Sequence, residues 1–185
     1  MKLKYNAPTV LTFTFISAAV WILSLTISSS ITTEWFMVPG RGGFIPGNLR
    51  NWITLFTHVL GHNNWDHLLS NFTLILLIGP ILEEHYGSFA LFFMIIVTAV
   101  VTGALNIIFF STALMGASGI LFMMILLASF TNFNDGEIPL TFILILVLYL
   151  GRELYNSFTQ SNVSQFAHIV GGFCGSLFGF FRANK

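Results

Sequence analysis

Between Pro8 and Ile31 the chain carries no charged side chain, and five further apolar segments follow, at roughly 65–83, 88–110, 117–131, 138–157 and 164–181. A helix needs about 20 mostly apolar residues to cross a bilayer, so this repetition confines the chain to polytopic, all-α membrane architecture. Only 8% of its 185 residues are charged and 55% are hydrophobic, where a soluble domain carries about 25% charged residues. Seven basic residues balance seven acidic ones, which gives no electrostatic case for a nucleic-acid partner. Cys174 is the single cysteine, which excludes an intramolecular disulfide and thiol-rich metal clusters.

The amino-terminal run imitates a signal peptide. It is longer than the 7 to 15 residues of a signal core and no A-x-A cleavage site follows it, so a retained first helix is expected. Six spans put both ends on one side, and Lys2, Lys4, Arg182 and Lys185 assign that side to the cytoplasm. Arg41 and Arg50 in the first outer loop, and the acidic connection "TNFNDGEIP", weaken that bias. The whole of 1–185 is expected to form one membrane domain, with residues 32–64 as an interfacial loop rich in glycine and aromatics.

This topology has a chemical consequence. Helices two, four and six all run from outside to inside, so His67 and Asn71 on the second, Ser118 at the start of the fourth and His168 on the sixth are expected at similar depth. Residues 117–131 make only about 22 Å of helix against a hydrocarbon core of about 30 Å. The preceding "STALMGA" is therefore expected as non-helical backbone at membrane depth, tolerated only where protein buries it or a water-filled cavity meets it. Ser118 would then lie at the floor of a pocket open to the outside.

A serine needs a base to become a nucleophile, and the imidazole of His168 suits that task at neutral pH. Gly171, Gly175 and Gly179 recur every four residues, a spacing that lets membrane helices pack backbone to backbone, with Gly119 as the matching small residue. On spacing alone ordinary helix packing is the favoured reading of those glycines, and it is their combination with Ser118 and His168 at matched depth that points to a site. Free N–H groups at the start of helix four, with the side chains of His67 and Asn71 four residues apart on one face, would supply donors to an oxyanion. Asn71 as interhelical glue is an equal reading.

Four stretches carry a family likeness: "HLLSN", "GPILEEHYG", "GASG" and "AHIVGGFCG", in that order. With them the chain resembles the rhomboid intramembrane serine proteases, of the bacterial-type six-helix core, from about residue 50 to the C-terminus. The resemblance implies a Ser118–His168 dyad without a carboxylate. It implies an oxyanion and substrate-binding site of His67, Asn71, Gly116 and Gly119, with no cofactor and no metal. The partners it implies are the bilayer and transmembrane protein substrates, and the location is a bacterial or archaeal cell membrane. Glu83 would be a polar anchor or a plain interfacial carboxylate. Phe122 stands where many bacterial members have a tyrosine stacked on the histidine, and the adjacent Trp-Arg pair of the first loop is missing, since Trp52 is followed by Ile53.

Three readings compete with proteolysis. His58, His62 and His67 are spaced for metal binding, but no carboxylate stands at an H-E-x-x-H position. A rhomboid-like protein that binds membrane-protein clients without cutting them would lack Ser118 or His168. A channel would carry charges deep in several spans.

Overall fold

The computed structural model describes residues 2–131, 140–145, 147, 148, 151 and 163–183. Among these the chain is helical: α1 (Pro8–Thr26), α2 (Ser30–Trp35), α3 (Leu49–Thr57) running into a 3₁₀ turn (His58–Leu60), α4 (Trp65–Tyr86), α5 (Ser88–Phe109), α6 (Ser118–Ala128), α7 (Leu140–Ile145) and α8 (Val163–Ala183). Among the described residues the single β-like pairing is an isolated bridge between Val38 and Leu114. By length and composition α1, α4 and α5 can each cross a membrane. Most of the expected fifth span, including Arg152 and Glu153, and the acidic connection 132–139 lie outside the described residues.

The first span is shorter than the apolar run that announces it. α1 ends at Thr26, where the serine cluster takes over the chain: Ser28 Oγ accepts from the Ser30 amide at 3.2 Å and meets Ser30 Oγ at 3.0 Å. Local side-chain bonds of this kind compete with the helical ladder. At its other end α1 starts on Ala7 and Pro8, which supply no capping side chain. Glu83 does so from α4, its two carboxylate oxygens accepting from the Thr9 amide at 2.8 Å and the Val10 amide at 2.9 Å. The carboxylate is 4% exposed and meets the positive end of the helix. Of the two readings of Glu83, this is the anchor. Glu83→Ala leaves two helix amides without an acceptor and is expected to destabilise the protein by about 2–4 kcal/mol, with Glu83→Gln costing roughly half as much; thermal unfolding in detergent measures both.

Gly87 turns α4 into α5 in a single residue, in the left-handed region at φ +86°. α6 sits in the middle, with every residue from Gly119 to Leu127 buried. A helix apolar on all sides belongs inside the protein rather than at its surface. Its 11 residues span about 16 Å, which is shorter still than the sequence suggests and far short of a bilayer.

The most extensive helix contact is between α6 and α8. A Cβ built on Gly171 would collide with the Gly119 carbonyl oxygen, one on Gly175 with that of Met123, and one on Gly179 with the Phe130 ring. The two helices thus run in the same direction, with a glycine ridge on α8 laid against the backbone of α6.

Candidate active site

Ser118 is the first residue of α6, at an end where amides lack intrahelical partners. The chain reaches it through residues 110–117, which are not helical. The first loop clasps this segment: the Arg41 amide donates to the Phe110 carbonyl at 2.5 Å, Val38 and Leu114 exchange backbone bonds of 2.9 Å, and the Gly116 amide donates to the His58 carbonyl at 2.9 Å. The Asn106 side-chain nitrogen adds a bond to the Thr112 carbonyl at 3.1 Å. Irregular backbone beside a membrane core is tolerated on these terms. Gly40, against the Ser111 carbonyl, and Gly61, against the Phe36 carbonyl, admit the close approach.

Gly116 has φ +126°, a conformation side chains disfavour. A Cβ there would also stand 2.7 Å from His67 Cε1, so the imidazole of His67 lies directly over this glycine. A Cβ on Gly119 would come within 3.2 Å of the Ala167 carbonyl oxygen, which places α8 against the start of α6 at the level of His168. The His168 ring is stacked on Phe122, with centroids 4.2 Å apart and planes 8° from parallel. Residues from α4, α6 and α8 therefore meet around the first turn of α6. Ser118 Oγ has no hydrogen-bond partner among the described residues.

His62 has a part in this site that its place in the His58, His62 and His67 spacing does not reveal. Its Nε2 lies 3.3 Å from the Ala117 amide, which donates to it, and 3.2 Å from the Asn71 side-chain nitrogen. An amide donor requires a bare ring nitrogen, so the hydrogen is on Nδ1, which donates to the Leu60 carbonyl at 3.3 Å. Asn71, 4% exposed, is thereby tied to the residue before Ser118, with its second N–H remaining. This contact accords with the glue reading of Asn71. No motif places His62 here, because its partner is a backbone N–H more than fifty residues away.

The Trp-Arg contact missing from adjacent positions is made across the loop. The Arg50 guanidinium lies 4.7 Å over the Trp35 ring and pairs with Glu34 at 2.9 Å. Trp52 instead donates its indole N–H to the Pro46 carbonyl at 2.9 Å.

Burial pushes the His58 and His62 imidazoles down to about 4, the charge of His67 adding to the effect at His62. His58 Nε2 donates to the Ala99 carbonyl at 3.0 Å, which opposes the effect of burial without cancelling it. The unfolded chain protonates these rings near pH 6.5 while the folded protein does not, so stability is full above that pH and falls as the pH drops towards 4. The expected loss is about 3 kcal/mol for each imidazole. Thermal unfolding between pH 7 and 4.5 reads it, and His58→Gln should flatten the profile by its own share.

A family model described as the rhomboid domain matches residues 49–185. A rhomboid-like protein from Arabidopsis thaliana, rhomboid-like protein 11, chloroplastic, is 22% identical over 172 residues, covering 84% of this chain and 61% of the relative. The chain thus spans about three fifths of that relative's length. The matched region includes α3 to α8 and all the residues of the candidate site, whereas α1 precedes it.

Proposed function

The chain belongs to the rhomboid family, and on that premise we propose that this integral membrane protein is a serine endopeptidase cutting peptide bonds in or beside the transmembrane helices of other proteins. The observation that carries the proposal is the meeting of Ser118, at the open end of a buried 11-residue helix, with the α8 segment that bears His168. Glycine contacts and the Phe122 ring hold that segment in place.

In the proposed reaction His168 takes the Ser118 hydroxyl proton as Oγ attacks the substrate carbonyl carbon. The negative charge that forms on the carbonyl oxygen is met by the Ser118 amide, the second N–H of Asn71 and the His67 ring, aided by the positive end of α6. Collapse breaks the C–N bond, and the leaving amine takes its proton from His168. Water, activated by the same imidazole, then hydrolyses the acyl-enzyme. A carbonyl in intact helix is hidden from attack, which favours substrates with helix-weakening residues near the cut. The proposed arrangement has six spans in a single domain and both ends in the cytoplasm.

The test is proteolysis of a transmembrane reporter by protein reconstituted in liposomes. Cleavage within or next to the reporter's membrane segment supports the proposal, whereas capture of the reporter without cleavage supports the client-binding alternative. Phe122 offers a stacking face but no hydroxyl, so Phe122→Ala is expected to lower reporter turnover roughly 10- to 100-fold by releasing His168 from its orientation. Unchanged turnover would assign that orientation to other contacts.

A further inference from the structure

Away from Ser118, where α4 ends and α5 begins, a groove of about 360 Å³ runs between the first turns of α5 and the last turns of α8. Ala90, Phe93, Met94, Phe178 and Phe181 line it, with Arg182 completing the wall. Phe93 and Phe181 are 57% and 66% exposed, and in a bilayer such surface faces acyl chains. Arg182 places a cation at the edge of this apolar surface.

Among the described residues no carboxylate lies within ion-pair distance of Arg182. Glu83, less than one turn before Tyr86 on α4, is engaged with the amides of α1. Tyr86, the last residue of α4, is near enough to feel the Arg182 charge and carries a hydroxyl at the same end of the molecule. α1 also begins here, the Thr9 hydroxyl donating to the Ser88 carbonyl at 2.9 Å, so Lys2 and Lys4 add positive charge to this end. Arginine near the end of a membrane helix reaches the headgroup level, and its planar fork of donors matches a phosphate. Basic pockets between membrane helices are suited to anionic headgroups.

We propose that this groove holds one acyl chain of an anionic glycerophospholipid whose phosphate is bound by Arg182. The proposal depends on the membrane placement of the protein and not on its proteolytic activity.

Native mass spectrometry of the detergent-purified full chain tests it, with dioleoylphosphatidylglycerol and dioleoylphosphatidylcholine offered separately at equal concentration. Both lipids have the same chains and one phosphate, so a difference between them reports headgroup charge. The expected result is at least about fivefold greater retention of phosphatidylglycerol by the wild type, falling to within about twofold in Arg182→Gln. Ala90→Trp fills the groove without altering its charge, and is expected to lower retention of both lipids by a similar factor whether or not the arginine variant can be purified. Ser118→Ala should behave as the wild type. Equal retention of the two lipids by the wild type, an undiminished preference in Arg182→Gln, or unchanged retention in Ala90→Trp would overturn the proposal.

Discussion

Ser118→Ala is expected to reduce cleavage of a transmembrane reporter by about 10⁴-fold or more, His168→Ala to do nearly the same, and the double substitution to do little further harm. Without Oγ no acyl-enzyme can form. Without the imidazole the hydroxyl keeps its proton, and the leaving amine has no acid to protonate it. Residues that act as one unit lose their effect together, so the non-additivity is as informative as the size of the drop. Ser118→Ala removes no side-chain hydrogen bond among the described residues, whereas His168→Ala also removes the ring stacked on Phe122, although the glycine contacts between α6 and α8 remain. Cleavage rates from reconstituted protein, alongside thermal unfolding of the same preparations, separate lost chemistry from lost structure.

A large effect on stability is expected at Gly175. A methyl group there would collide with the Met123 carbonyl oxygen, backbone that cannot turn aside as a side-chain tip would. Overpacking of this kind costs about 1–3 kcal/mol for an added methyl when neighbours can shift, and two backbones in contact sit at the upper end. Gly175→Ala is therefore expected to destabilise by about 3 kcal/mol or more, and Gly175→Leu to prevent folding. Because α8 must move away from α6 to admit the methyl, His168 moves with it, and reporter cleavage should fall even in protein that remains folded. Gly47→Ala is the control: nothing lies within 4 Å of a Cβ at that position, and the change should be within about 0.5 kcal/mol. Comparing unfolding temperatures of the two variants with the wild type checks the prediction.

The parts of this molecule that can be read in its sequence are those governed by local pattern. Apolar runs announce α4, α5 and α8 to within a few residues, and the shortness of the apolar stretch after Ser118 already implies irregular backbone ahead of it. The four-residue spacing of Gly171, Gly175 and Gly179 points to the face of α8 that meets α6. The end of α1 at Thr26 is harder to place, because Ile27 to Ile31 are as compatible with helix as with the serine turn that forms. Long-range polar pairings are hidden altogether. Arg50 finds Trp35 and Glu34 across the loop and not a neighbouring tryptophan. Glu83 caps a helix that begins more than seventy residues earlier, and His62 receives a backbone hydrogen from Ala117. Each of these depends on where a distant chain end stops in space, which neither periodicity nor motif spacing encodes.

These pairings also fix the backbone that leads into Ser118. The backbone before it is bonded to the first loop at Phe110, Leu114 and Gly116, and to His62 at Ala117. A helix start fixed on so many sides can present its amides to a developing charge without reorganising, which is the condition for electrostatic stabilisation of an oxyanion.

Incubation of the purified protein with a fluorophosphonate, followed by mapping of the modified peptide, tests most directly whether Ser118 is a nucleophile activated by His168. The expected result is a single adduct on Ser118 that disappears in His168→Ala while the protein remains folded. An adduct on another residue, or equal labelling of Ser118 with and without His168, would contradict the proposed dyad.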